Sequence, residues 1–480
     1  MVGRWLSAQI RHFTGTDANQ NQHYTRRKLH KKRYLTRDNA IIKRMKPQKI
    51  RHAHARPHSH SVPIVIVAVL CVFVLVVSSA FWWMRIRTQA PTSASSTSTS
   101  QTSTNKSDNK QTTNGDSTNA DLERDSAPSP AADNTPTGKA QRAVANMSLE
   151  EQAGQLIMAP LFAGSDASTL QSLIINKHVG SVLIIGNWRN GTTGVKRATD
   201  ALQSYAPASN KLIMATDQEG GQVQHLKGSG FDTMPSAVEQ GAMTTDQLRQ
   251  AAGVWGGQLK QAGINVDLAP VLGTVQVTRA SNAPVGALNR DFGLDATGNA
   301  QHGIAFVEGM RDAGVETSVK HYPGLGAVTG NTDFTTEGIV DTTTTLDGQE
   351  IGAFNQTIAQ TNPAMVMMSL ATYQAIDPSA PAAFSSAIID GHLRGTSGYQ
   401  GVVISDSLSA AAVSGIATRD LGVRLVEAGG DLACIGDNSY VQPILDGIIA
   451  RAQSDPAFAQ KVARSATRVM TLKYQMGLAQ

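Results

Sequence analysis

Charged side chains follow the ends of short apolar runs from residue 212 of this chain onward. The run at 212–216 ends in Asp217-Gln218-Glu219-Gly220-Gly221, an acidic tip before a turn, and the run at 265–269 carries Asp267 and closes on Pro270. Arg290 follows within Leu288-Asn289-Arg290-Asp291-Phe292-Gly293. A β-branched run ends abruptly in Lys320-His321 before a loop rich in glycine, and the run at 401–405 delivers Asp406 straight into a Ser/Leu turn. One Asp at a strand end has an ordinary alternative, which is to cap the next helix or pair with a lysine. Several carboxylates and cations gathered at one end suit a polyhydroxylated neutral ligand held by charge-assisted hydrogen bonds, or glycoside chemistry carried by two carboxyl groups. Other chemistries lack their marks: there is no G-x-S-x-G, no H-E-x-x-H, and no G-x-G-x-x-G or Walker pattern after an early strand.

Such residues need a scaffold that presents strand ends together. Apolar runs at 155–160, 181–185, 212–216, 265–269, 316–320, 364–368, 401–405 and 431–435 read as strands. Helical stretches at 245–262, 296–313 and 346–360 fall between them, and Ser148 with Glu151 forms a capping-box signature that opens an earlier helix. Eight strands separated by helices predict an α/β fold, a (β/α)8 TIM-like barrel, over residues 141–480, with function collecting after each strand. A doubly wound open sheet is the alternative.

The rest of the chain is of a different kind. The net charge of +5 hides an asymmetry: residues 1–61 carry 15 Lys/Arg against two Asp/Glu, and the remainder 27 against 35. The basicity belongs to the arm alone, so no nucleic-acid partner is expected. The arm, with seven histidines, reads as a disordered basic segment. Its His52, His54, His58 and His60 leave a metal tract as the other option. Residues 62–84 hold 23 residues without a charge, with Phe81, Trp82 and Trp83 at the far end, and predict one transmembrane helix. The positive-inside rule puts the arm in the cytoplasm and the rest outside the cell membrane. Residues 85–140, rich in Ser, Thr and Asn, read as a disordered linker. Neither Cys71 nor Cys434 suggests a disulfide framework or a metal site.

The strand-end motifs resemble those of glycoside hydrolase family 3, in its β-N-acetylglucosaminidase branch. The matching stretches are Asp217-Gln-Glu-Gly-Gly-Gln-Val-Gln224, Val266-Asp-Leu-Ala-Pro-Val271, Arg290-Asp-Phe-Gly293, Lys320-His-Tyr-Pro-Gly324, Gly401-Val-Val-Ile-Ser-Asp-Ser-Leu408 and Ala428-Gly-Gly-Asp431. The resemblance implies a retaining glycosidase that removes β-linked N-acetylglucosamine from envelope glycans such as muropeptides, without metal or organic cofactor. It implies Asp406 as the nucleophile, with Asp217, Arg290, Lys320 and His321 gripping the sugar.

Departures from that pattern carry expectations of their own. The branch normally reads Gly-His-Gly and then Asp-Ser-His, whose last His is the acid/base. Here the stretches are Gly324-Leu-Gly326 and Asn331-Thr-Asp333. Asp333 therefore stands where the His belongs and Asn331 where its orienting Asp belongs. Either Asp333 is itself the general acid/base, supported by Asn331 on its loop, or the acid is lost and the domain binds glycan or cleaves only activated substrates. Glu337 is a further carboxyl on the same loop. His225 occupies a position usually held by Arg, which implies a weaker cation in the substrate site, and Ser407 replaces a frequent Asp. A β-glucosidase of the same family and a silent membrane-anchored glycan-binding scaffold remain as the other functions.

Overall fold

The computed structural model describes residues 133–480; the arm at 1–61, the apolar stretch at 62–84 and nearly all of the linker lie outside the described residues. Eight parallel strands form one sheet: β1 (Ile157–Phe162), β2 (Ser181–Ile185), β3 (Ile213–Thr216), β4 (Val266–Asp267), β5 (Glu316–Tyr322), β6 (Met365–Met368), β7 (Val402–Ser405) and β8 (Ala433–Cys434). The order β7-β6-β5-β4-β3-β2-β1-β8 nearly closes into a barrel. Closure between β7 and β8 rests on the single bridge Ile404–Leu432.

The strands form because their side chains are apolar on both faces, as a parallel sheet covered by helices requires. Successive residues divide between two clusters. Met158, Leu183, Ala215, Met367, Ile404 and Cys434 share the smaller cluster with Val469 and Leu472. Their neighbours Ile157, Val182, Met214, Val366, Val403 and Ala433 belong to the larger one. This is the period of two expected when one face fills the barrel and the other meets the helix layer.

The expected elements are present with shifted ends. The first strand starts two residues later than its apolar run, because the helix Leu149–Gln155 continues to that point. Its capping box is formed: Glu151 Oε2 accepts from Ser148 N–H at 2.7 Å, and Glu151 N–H donates to Ser148 Oγ at 3.2 Å. The strands expected at 265–269 and 431–435 shrink to Val266–Asp267 and Ala433–Cys434, while β5 runs on to Tyr322. Helices Thr245–Gln261, Ala296–Asp312 and Gln349–Thr361 fall close to their predicted spans. A helix at Pro136–Ala145, capped by Thr135, begins inside the stretch read as linker, so the folded unit starts before residue 141. Among the described residues no helix is long and apolar enough to cross a membrane.

Where the ladder between β7 and β8 is thinnest, a buried acid holds the seam. Asp431 accepts from Val403 N–H at 2.8 Å, from Arg394 Nη2 at 2.6 Å and from Arg468 Nη1 at 3.0 Å. Asp431 is fully buried and Arg394 only 8% exposed. Removing the acid strands a buried guanidinium, a loss of about 3–5 kcal/mol. Asp431→Ala is therefore expected to lower the urea midpoint by that equivalent, measured on the folded unit by circular dichroism.

Candidate active site

The C-terminal ends of β3, β5 and β7 and the segment after β4 bring the sequence-predicted residues together. Asp217 follows β3, and Glu219 sits in the short hairpin Gln218–Gly220 with Val223–Gln224. Lys320 and His321 lie in β5, where the Lys320–His321 peptide is cis and the register to β6 shifts before Tyr322. Arg290 follows Asn289, which adopts a left-handed φ of 54°.

Their charges alternate in a chain. Lys320 Nζ lies 2.5 Å from Asp217 Oδ1 and 2.6 Å from Glu219 Oε1. Arg290 grips Glu219 with Nη2 at 2.7 Å and Nε at 2.9 Å, and donates through Nη1 to Pro284 O at 2.8 Å. Burial alone would raise the Glu219 pKa, but the two cations outweigh it and hold the carboxyl well below its ordinary range. For Lys320, burial is likewise overcome by Asp217 and Glu219, which hold the ammonium charged. The sequence alone assigns Glu219 no role. Its signal was the two-residue spacing from Asp217, which puts both acids on one side of an extended tip.

Two histidines stand beside this chain. His225 places Nε2 3.8 Å from Asp217 Oδ2 and Nδ1 2.8 Å from Gly186 O. Burial lowers its pKa despite the pull of Asp217. His321 Nε2 is 4.0 Å from Asp406 Oδ2, and burial, Arg290 and Lys320 push its pKa well down, so its imidazole is neutral. The position lacking the usual Arg thus carries a ring disposed toward its neutral form.

Asp406 leaves β7 with its N–H on Met368 O at 3.0 Å, and its Oδ1 accepts from Ser407 N–H at 2.7 Å. A fifth of its side chain meets solvent. Asp333 arrives from the loop after β5. Asn331 Oδ1 accepts from Asp333 N–H at 2.9 Å, which closes an Asx-type turn. The loop docks on the segment after β7: Ala412 N–H donates to Thr332 O at 3.0 Å and Ala411 N–H to Asp333 O at 3.4 Å. The two carboxyls feel each other. Burial first, then the charge of Asp333, pushes Asp406 up to about 7. Burial raises Asp333 as well, with Arg290 pulling the other way. Paired acids of this kind can divide one proton between them, so that one is ionised while the other can donate. Glu337, by contrast, is exposed on its loop. A cavity of about 730 Å³ opens elsewhere, beside Thr137, Glu316, Gly401 and Arg468, and holds none of these groups.

A parallel barrel with carboxyls and cations at its strand ends can carry glycoside chemistry among others. The chain belongs to glycoside hydrolase family 3: residues 148–472 match the family model "Glycosyl hydrolase family 3 N terminal domain". It is similar to the β-hexosaminidase LpqI of Mycobacterium tuberculosis, with 32% identity over 64% of this chain and 79% of that protein. Among solved structures it resembles the β-N-acetylhexosaminidase of Beutenbergia cavernae, at 41% identity and a TM-score of 0.65, covering 69% of this chain and 99% of the other. A family 3 β-N-acetylglucosaminidase from a Paenibacillus species shares 29% identity at a TM-score of 0.62, over 69% of this chain and 63% of that one. These relatives place the chain in the β-N-acetylhexosaminidase branch of the family and make it a glycosidase.

The raised pKa of Asp406 has a sign that can be tested. Its folded value, about 7, exceeds the ordinary 3.8, so the folded state holds the extra proton between the two and loses stability as pH rises through that window. Asp406→Asn removes the buried charge. It is expected to raise Tm by roughly 2–6 °C at pH 8, where the penalty is full. At pH 4 the two melting curves should nearly coincide.

Proposed function

We propose that this glycosidase removes β-linked N-acetylglucosamine by a retaining mechanism, with Asp406 as nucleophile and Asp333 as general acid/base. The observation that carries the reading is that the loop bearing Asp333 docks on the segment just after Asp406, so that the two carboxyls interact through their charge beside the Asp217–Lys320–Glu219–Arg290 chain. In the first half-reaction the Asp406 carboxylate bonds to the anomeric carbon as the glycosidic C–O bond breaks, and Asp333 gives its proton to the departing oxygen. In the second, ionised Asp333 takes a proton from water, whose oxygen bonds to the same carbon and releases Asp406. Burial raises both carboxyls and Lys320 and Arg290 oppose it at both, so the division of roles rests on position: Asp406 at the end of β7 and Asp333 on the loop after β5.

The sugar follows from the relatives' names, and Asp217, Arg290, Lys320, His321 and His225 are the groups assigned to hold it. The glycan is an envelope component such as a muropeptide. A second reading has one feature in its favour: the His–Asp dyad of the branch is absent, its places taken by Asp333 and Asn331, as they would be in a silent glycan-binding scaffold. Anchoring through residues 62–84, with the arm at 1–61 cytoplasmic, the linker carried through to about residue 135 and the barrel outside the cell, rests on composition and charge.

Turnover of aryl β-N-acetylglucosaminides over aryl β-glucosides supports the sugar; the reverse preference replaces it, and turnover of neither brings the scaffold forward. Asp406→Asn is expected to lower kcat by at least about a thousandfold. Asp333→Asn should cost about 10²–10⁴-fold on poor leaving groups and far less on good ones, because only the former need a proton. For topology, protease added to intact cells should release the barrel and spare the arm; protection of both would refute the outward orientation.

A further inference from the structure

We propose that Glu350 is a positioning residue that clasps both roots of the loop carrying Asp333, a role that rests on Asp333 being the acid. Glu350 belongs to the helix Gln349–Thr361, outside the groups that meet the sugar, and is 1% exposed. Its Oε1 accepts from Gly326 N–H at 2.7 Å, at the loop's first root. Its Oε2 lies 3.0 Å from Thr344 Oγ1 and accepts from Gln276 Nε2 at 3.0 Å. Thr344 in turn touches Asp341 Oδ2 at 2.7 Å and donates its backbone N–H to Asp341 Oδ1 at 2.8 Å, at the second root. One carboxyl thus joins the two ends of the excursion that presents Asn331 and Asp333.

Proton counting sharpens the role. The Thr344 hydroxyl has one hydrogen and two carboxyl neighbours, Asp341 and Glu350. Both contacts are hydrogen bonds only if one carboxyl carries a proton and donates it to the Thr344 oxygen. The environment favours the proton on Glu350: burial raises its pKa to about 7, and Asp341 adds to the shift, although Gly326 and Thr344 oppose it. The remaining titratable neighbour, Tyr373, spends its hydroxyl on Gly324 O. Side chains cannot be added at this root. A Cβ on Gly326 would meet the Thr274 carbonyl, and one on Gly324 the Glu350 carboxyl itself. The fit is therefore close enough for the Glu350 carboxyl to transmit its position to the loop.

The test uses the full-length chain and aryl β-N-acetylglucosaminides with good and poor leaving groups, comparing kcat/KM for Asp333→Asn, Glu350→Ala, Glu350→Gln, Thr344→Val and the Asp333→Asn/Glu350→Ala pair. Glu350→Ala and Thr344→Val are expected to lose at least about tenfold more on the poor leaving group than on the good one. The double variant should show no further change in that ratio beyond Asp333→Asn alone, the mark of two residues acting on one step. Glu350→Gln should keep the parent's ratio, since its amide N–H donates to Thr344 and its oxygen accepts from Gly326, with Gln276 turning its own amide. Thr344→Val keeps the packing volume and stands in if Glu350→Ala fails to fold. Equal losses on both leaving groups in Glu350→Ala and Thr344→Val, with Asp333→Asn selective, would overturn the clasp alone. A flat Asp333→Asn profile would overturn the acid assignment and this role of Glu350 with it.

Discussion

The site depends on one constraint: no charge at the barrel mouth can be buried without its neighbour. Asp217, Lys320, Glu219 and Arg290 alternate in sign, and Lys320 is 1% exposed with an acid on either side. A lone ammonium in that position would lose its proton, and a lone carboxylate would gain one. Coupled, they keep fixed charge where water is largely excluded. Such a network is weak as a source of net stability, because each attraction offsets a desolvation cost of similar size. What it supplies is a rigid array of donors and acceptors that need not reorganise around a ligand.

The same logic sorts the remaining ionisable groups. Asp431 is buried with two guanidinium partners and holds the β7–β8 seam. Lys473, fully buried against the neutral oxygens of Gln155 and Asn210, has no acid beside it, and burial pulls it down to about 7. Asp406 and Asp333 are like charges set together, and burial raises both. Of these shifted groups, Asp406 and Asp333 stand at the barrel mouth beside the paired charges, whereas Lys473 lies against Gln155 and Asn210, away from them.

Much of the fold was legible because most barrel strands are buried on both faces and read as apolar runs such as Met365–Met368, with Glu316–Tyr322 the polar exception. Strand ends were less legible, since they depend on partners elsewhere. Gln155 looks like a strand residue, yet its amide donates to His178 O at 3.0 Å from the end of a helix. The site was visible as charged residues after strands, but its pairing was not. Nothing local in the sequence says that Glu219 is shared by Lys320 and Arg290, or that the loop holding Asp333 lies against Ala411 and Ala412. Those are contacts between distant segments, and only the closed barrel makes them neighbours.

The main-chain clip between residues 332–333 and 411–412 separates two properties that are usually entangled. It places Asp333 against the segment after Asp406 through backbone atoms, whereas the acidity of the two carboxyls follows from their burial and the charges around them. Exchanging Lys320 or Arg290, whose charges act on both carboxyls, would retune the working pH while leaving that clip untouched. Lengthening the loop would widen the gap and admit a water between the acids, the geometry of inversion. The barrel therefore offers two independent dials to protein engineers, one for acidity and one for the stereochemistry of the released sugar.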